Sequence, residues 1–124
     1  DRLAIIDRGR MLALDTPDQR LALFRGFADG NRLRIIEQLT LGEQRVADVV
    51  GATGLAQPNV SAHLSCLWEC GLAQRERRGR EVHYRLADGV ADLLVAADLI
   101  LDRTGEQVDA CENYGSTSSR ESAA

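Results

Sequence analysis

The hydrophobic pattern of the chain changes its period at Gly71, from helical spacing before it to alternation after it. From residue 56 to 70, apolar side chains recur every three or four positions, and Pro58 lies in the first turn, where no backbone donor is needed. After Gly71, the stretches 72–77 and 81–86 alternate and flank an Arg-Gly-Arg turn. The sequence therefore predicts a helix followed directly by a β-hairpin.

Three further helices are predicted before this unit and one after it. The first begins at Pro17 and has its apolar residues at Leu21, Leu23, Phe24 and Phe27. The second is capped by Asn31, and its core positions are Leu33, Ile35, Ile36 and Leu39. The third contains Val46, Val49 and Val50 and is stopped by Gly51 and Gly54. The last spans 88–103, and its apolar face is wide enough that a partner helix is expected to cover part of it. Residues 1–17 contain two short apolar runs that would pair as a hairpin.

Length and charge narrow the class of protein. A chain of 124 residues accommodates one domain, no apolar run reaches membrane length, and the first residues show no signal-peptide pattern, so a cytoplasmic protein without a membrane partner is expected. The net charge of −4 is unevenly distributed: residues 87–124 hold eight acidic and two basic residues, a net −6, which leaves +2 for residues 1–86. Within 72–86, five arginines and two glutamates give a local charge of +3.

Two short helices joined by a glycine-containing turn, and then a charged hairpin, form the layout of a winged helix-turn-helix. The predicted fold is mainly α with a small β-hairpin wing (α+β). The later helix of this pair, residues 56–70, would enter the major groove and present Gln57, Asn59 and Ser61 to bases or phosphates. The wing would present Arg75, Arg77, Arg78 and Arg80 to phosphates or the minor groove, the alternative being a merely solvated hairpin.

The three cysteines indicate a second kind of site. Cys66 and Cys70 are neighbours at i, i+4 on the predicted helix and lie about 100° away from its core stripe. Such a pair holds a soft metal or forms an oxidisable dithiol, the alternative being two small buried hydrophobes. Cys111 is the third thiol, and it is either a ligand or an idle residue of the acidic tail. His63 lies on the cysteine side of the helix, where it is expected to contact a DNA phosphate or to pack, the alternative being a fourth ligand.

Other residues carry less functional information. Trp68 is expected in the core or against a partner, and His83 in a structural role. Because the sequence contains no phosphate-binding glycine loop, zinc-protease pair or Ser-His-Asp set, we expect no enzyme and no small-molecule substrate.

Three stretches, LFRGFADGNRLRIIEQL, VADVVGATGLAQPNVSAHLSCLWECGL and RRGREVHYRLAD, resemble the ArsR/SmtB family of dimeric, metal-responsive winged-helix repressors over residues 18–103. The family's cysteine motif at the start of the third helix is absent from residues 43–48, and the histidines of its zinc-type site are absent from 88–103. The remaining stretch, LSCLWECGL with a distal cysteine, resembles the CmtR-type cadmium/lead sensors.

This resemblance implies a homodimer that binds double-stranded operator DNA without metal and is released by Cd(II) or Pb(II), with Zn(II) and As(III) less favoured as inducers. Carried over, Cys66, Cys70 and Cys111 form a trigonal thiolate site across the dimer. The implied domains are an N-terminal extension of unassigned role (1–17), the winged helix-turn-helix for DNA binding and dimerisation (18–103) and an acidic, Ser-rich tail (104–124). The alternatives are a redox- or persulfide-responsive repressor of the same fold and a protein-interaction module that does not bind DNA.

Overall fold

The computed structural model of the chain describes residues 6–7, 10–11 and 17–115. Near the N-terminus, the short strands β1 (Ile6–Asp7) and β2 (Arg10–Met11) pair antiparallel, which confirms the predicted hairpin. The remaining elements are α1 (Pro17–Phe27), α2 (Gly30–Leu39), β3 (Gln44–Arg45), α3 (Val46–Thr53), α4 (Gln57–Glu69), β4 (Ala73–Arg78), β5 (Glu81–Leu86) and α5 (Val90–Asp109). The chain divides into two compact units, Asp1–Ala87 and Asp88–Ala124. No helix among the described residues is both long and apolar enough to cross a membrane.

The core of the first unit joins α2, α3, α4 and the sheet. Its buried side chains are Ile35, Ile36 and Leu39 of α2, Val49 of α3, Val60, Leu64 and Leu67 of α4, and Ala73 and Tyr84 of the sheet. Burying an aliphatic side chain of this size contributes about 1.5–3 kcal/mol. The core positions predicted from helical spacing in α2 are therefore confirmed, except that Leu33 is only half-buried.

The N-cap of α2 differs from the prediction. Asp29, not Asn31, has the extended backbone of a cap, and its Oδ1 accepts a hydrogen bond of 2.8 Å from the N–H of Arg32. A capping side chain belongs to the residue just before the helix and accepts from an N–H two or three residues on, whereas Asn31 already lies within the first helical turn. The prediction of Asn31 as the cap is therefore wrong.

The glycines of α3 have different roles. The helix continues through Gly51 and ends at Thr53, because Gly54 adopts the left-handed conformation (φ +73°) and its N–H donates to the carbonyl of Val50. Gly54 thus begins the turn into α4, as predicted, whereas the expected stop at Gly51 is wrong.

A three-stranded sheet with the order β3-β5-β4 forms the wing. The predicted hairpin of β4 and β5 is confirmed, with Arg78 paired to Glu81 across the two-residue turn, where Gly79 has a φ of +65°. The third strand, β3, was not predicted, because two residues are too few to show a period. It pairs Gln44 with Tyr84 and so connects the start of α3 to the wing.

The second unit consists mainly of α5, which runs to Asp109 and not to the predicted end at Arg103. The Thr104 hydroxyl donates to the carbonyl of Ile100 at 3.0 Å, so this residue, expected to begin the tail, is accommodated inside the helix. Four large apolar side chains of α5 are exposed in the single chain: Val95, Leu99, Ile100 and Leu101. The Ser-rich end of the predicted tail, residues 116–124, lies outside the described residues.

Candidate functional site

The start of α4 carries an exposed polar surface. Gln57, Asn59 and Ser61 are all exposed there, as expected of side chains that read DNA. Ala56, the N-cap residue, has no side-chain acceptor, and Pro58 has no backbone donor. The side-chain groups exposed at this end of the helix are therefore the amides of Gln57 and Asn59 and the hydroxyl of Ser61.

His63 is half-buried one turn further along α4. It neighbours Asp29: the pKa of Asp29 is held below its usual value chiefly by the hydrogen bond from the Arg32 N–H, and His63 is among the nearby groups that lower it further. The structure therefore places His63 beside the start of α2.

The four wing arginines differ in how they are held. Arg80 is exposed in the turn and makes no ion pair or hydrogen bond through its side chain with another described residue, while the Arg77 Nε donates to the Gly79 carbonyl at 3.3 Å. Arg78 instead forms ion pairs with Glu43 and, at 3.4 Å, with Glu76. A phosphate must compete with these carboxylates for Arg78, whereas Arg80 is available to it directly.

Arg75 is held by a different contact. Its guanidinium carbon lies 3.4 Å from the ring centroid of Trp68, a cation–π arrangement that joins α4 to β4. Trp68 is 40% exposed in the single chain, so of the two expected places the core is wrong, and a position against a partner stays a prediction. His83, expected to be structural, is held in the sheet with its Nδ1 3.6 Å from a Glu43 carboxylate oxygen.

Cys66 and Cys70 form an exposed pair at the end of α4. Cys70 is the C-cap residue, its N–H donates to the carbonyl of Cys66 at 2.9 Å, and the two thiols lie close enough that Cys66 contributes to raising the pKa of the Cys70 thiol. The prediction of neighbouring thiols away from the core is confirmed, and the alternative of two buried hydrophobes is wrong.

The thiol pair lies at an apolar groove of about 420 Å³, between the end of α4 and α1. Its lining includes, beside both cysteines, the apolar side chains of Ala22, Leu23, Leu67 and Leu72. Arg32 holds the end of α1 in place, because its Nε donates to the Gly26 carbonyl at 2.5 Å and its Nη2 to the Arg25 carbonyl at 2.9 Å.

The pKa values of the Cys70 and Cys111 thiols are shifted in opposite directions, each by its own surroundings. Partial desolvation in the groove, followed by the hydrogen bond and charge of Cys66, raises the pKa of the Cys70 thiol. Cys111, in the turn after α5 of the second unit, is half-buried, and backbone N–H groups of Tyr114 and Asn113 donate to its sulfur and lower the pKa of its thiol. Within the described part of the chain, no three His, Cys, Asp or Glu side chains are gathered to hold a metal ion.

Sequence reasoning did not identify the groove or the stacking partner of Trp68. The groove combines residues from α1, α4 and the segment before β4, and its apolar members read in the sequence as ordinary core positions of separate helices. Arg75 and Trp68 are seven residues apart with a change of secondary structure between them, so no periodic pattern relates them.

Known bacterial regulators are similar to this chain over its helices and wing. The family described as "Bacterial regulatory protein, arsR family" matches residues 29–75, which include α2, α3, α4 and the start of β4. A probable mercury resistance operon repressor of Streptomyces lividans is 36% identical over 96 residues, covering 77% of each chain. The HTH-type transcriptional regulator CmtR of Mycobacterium bovis is 42% identical over 79 residues, covering 63% of this chain and 67% of that protein.

A solved structure shares the fold. It is the homodimeric winged helix-turn-helix DNA-binding domain of a possible ArsR-family transcriptional regulator from Mycobacterium bovis, 31% identical, with a TM-score of 0.58. The similarity covers 73% of this chain and 91% of that domain.

Proposed function

The chain belongs to the ArsR family of bacterial regulatory proteins, and from that premise we propose that it is a transcriptional repressor that Cd(II) or Pb(II) releases from operator DNA. It is a winged-helix regulator and not an enzyme, because the relatives that it matches are transcriptional repressors and regulators. In the proposed cycle the metal-free homodimer represses, and metal binding to Cys66, Cys70 and Cys111 ends repression.

One observation carries the proposal: the exposed Cys66–Cys70 pair lies at the end of the helix whose start exposes the side chains of Gln57, Asn59 and Ser61. At 1.5 Å per residue, the middle of the thiol pair lies about 14 Å along the axis from the middle of this polar set. A metal that ties the thiols to another segment therefore acts on the element that would enter the major groove.

The chemistry of the thiols favours a soft metal. Thiolates select such ions, and three of them suit Cd(II) and Pb(II), whereas Zn(II) completes a tetrahedron with a fourth ligand. The lowered pKa of the Cys111 thiol supports this residue as the third ligand, because the N–H groups of Tyr114 and Asn113 stabilise the thiolate that binds metal. The name of the Streptomyces relative makes Hg(II) the competing inducer.

The partners follow from exposed surfaces. DNA binding is supported by the polar start of α4 and by Arg77 and Arg80 near the tip of the wing. A homodimer is supported by the exposed apolar residues of α5, among them Leu99 at 64% and Ile100 at 61%, which water solvates poorly. In a dimer, small rotations of the two α4 helices misalign both half-sites at once, and coupling of about 1–3 kcal/mol would weaken DNA binding about 5- to 150-fold.

The test is an anaerobic titration of the reduced protein with Cd(II), following the ultraviolet thiolate-to-metal charge-transfer band. We expect saturation near one metal per protomer and a weakened band in Cys66→Ser and in Cys111→Ser. His63→Gln is the matched control on the same helix, and an unchanged band excludes it as a fourth ligand. Parallel titrations with Pb(II), Hg(II) and Zn(II) rank the inducers.

DNA release is measured with a fluorescent duplex from the promoter of the protein's own gene. Metal-free protein should bind in a salt-sensitive way, and Cd(II) should release it from wild type but not from Cys66→Ser. Absence of salt-sensitive binding would contradict the DNA-binding proposal and favour a protein-interaction module. A metal-insensitive complex that peroxide dissociates, with a Cys66–Cys70 disulfide in the mass spectrum, would favour the thiol switch.

A further inference from the structure

One carboxylate beside the wing is shared by two basic side chains. Glu43, the residue before β3, holds the Arg78 guanidinium through both oxygens: Oε1 accepts from Nη2 at 3.2 Å, and Oε2 forms an ion pair with Nη1. The same Oε2 lies 3.6 Å from the Nδ1 of His83. Histidine is the side chain that ordinarily changes charge between about pH 5 and pH 8, so a proton on His83 gives Glu43 a second cationic partner.

The other charged groups around His83 already have partners. Three arginines of the sheet are engaged away from Glu43, namely Arg45 by Asp48 and Glu81, Arg85 by Gln74, and Arg75 by Trp68. Glu76 lies opposite His83 on β4, and its Oε2 is 3.4 Å from the Arg78 Nη2. Glu43 and Glu76 therefore share one guanidinium, and protonation of His83 supplies a further cation to this cluster.

The members of the cluster differ in exposure. The Arg78 side chain is 50% exposed, whereas Glu43 is 22% and His83 is 20% exposed. Arg78 is also the last residue of β4, directly before the turn that carries Arg80. Arg78 is therefore the member that can turn towards DNA, while Glu43 stays half-buried. A half-buried carboxylate that loses its partner is costly, so a replacement cation at Glu43 favours the release of Arg78.

We propose that Glu43 controls the contact of Arg78 with DNA, and that protonated His83 replaces Arg78 at Glu43 when a phosphate binds that guanidinium. The inference rests on the proposed function in taking DNA as the partner, but no cysteine and no metal take part in it. The exchange breaks the Arg78–Glu43 pair and forms two pairs, Arg78–phosphate and His83–Glu43. Each protomer takes up one proton from solvent, so DNA binding should tighten as the pH falls. Glu43 is thus a positioning residue, because it acts on DNA through Arg78.

The test is fluorescence anisotropy with a duplex from the promoter of the protein's own gene, at about pH 6 and about pH 8. The full chain is kept reduced and metal-free at one ionic strength, since binding also depends on salt. We expect binding to be about fivefold or more tighter at the lower pH, because an exposed ion pair is worth about twofold to fivefold and a dimer gains one in each protomer.

Variants identify the members of the exchange. His83→Gln and Arg78→Gln should bind at both pH values about as wild type does at the higher pH. Glu43→Gln should bind at both values about as wild type does at the lower pH, because it releases Arg78 without a proton. His63→Gln, which removes the other of the two histidines, should keep the change with pH.

A purely structural role and a simple charge effect give different results. A variant that only loses fold stability weakens binding at both pH values and does not tighten it, unlike the result expected for Glu43→Gln. If the charge of His83 attracted DNA directly, the change with pH would persist in Arg78→Gln, and that outcome would overturn the exchange. A change with pH that survives His83→Gln, or that disappears in His63→Gln, would overturn it as well.

The same measurements separate this inference from the proposed function. Salt-sensitive binding with equal affinity at both pH values refutes the exchange and leaves the DNA-binding repressor intact. Absence of binding at both values refutes the repressor and the exchange together. A missing Cd(II) band in the titration refutes the metal sensor alone, because Glu43, Arg78 and His83 act without the thiols.

Discussion

The N-cap of α2 allows a quantitative test of how the first unit is stabilised. Removing the Asp29 side chain in Asp29→Ala leaves the N–H of Arg32 without the acceptor that it has at 2.8 Å. Loss of such a cap costs about 1 kcal/mol, within a range of about 0.5–2 kcal/mol. Because α2 contributes Ile35, Ile36 and Leu39 to the core, the loss should appear in global unfolding.

The assays are urea and thermal denaturation followed by circular dichroism, at one fixed protein concentration because a dimer's stability depends on it. We expect Asp29→Ala to raise the unfolded fraction about fivefold and to lower Tm by about 4 °C. Asn31→Ala, which removes the residue that the sequence indicated as the cap, should stay within about 0.5 kcal/mol of wild type. Asp29→Asn, which still caps, should lie between Asp29→Ala and wild type.

Acidity provides a second readout of the same contact. The pKa of Asp29 in the folded chain is below its usual value of 3.8, so its stabilisation is complete above that value and is lost as the pH falls through the folded pKa. The stability difference between wild type and Asp29→Asn should therefore narrow on acidification, because the amide does not titrate. A larger loss in Asn31→Ala than in Asp29→Ala would refute the reasoning.

Three further predictions concern the wing and the recognition helix. Arg75→Gln removes the cation–π contact with Trp68, which should cost about 0.5–1 kcal/mol and shift the emission of the chain's single tryptophan. Arg80→Gln should weaken promoter binding and lower the slope of log affinity against log salt concentration by about 1. Arg78→Gln should lower this slope less, because Glu43 and Glu76 already pair with the Arg78 guanidinium. Equal slopes for the two variants in fluorescence anisotropy would contradict this prediction. Leu64→Ala, at a fully buried position of α4, should cost about 2–5 kcal/mol in urea denaturation, and a loss below 1 kcal/mol would show that the site collapses around the cavity.

The order of the elements was predictable because each depends on contacts close in sequence. Helical spacing identified α1, α2, α3 and α4, and alternation around a glycine turn identified the wing hairpin. The thiol pair followed from the same geometry, since residues at i, i+4 are neighbours on any helix. Even the errors in these elements were local, such as the cap at Asp29 and the passage of α3 through Gly51.

By itself, then, the sequence determined which segments are helices and strands, that two thiols adjoin on α4, and that a wing follows them. Tertiary structure alone decided that Arg75 stacks on Trp68, that Glu43 pairs with Arg78, and that a groove adjoins the thiols. The physical reason is that repeating backbone geometry relates residues within an element whatever surrounds them. Contacts between elements depend on how separate helices and strands pack, and no periodicity in the chain encodes that.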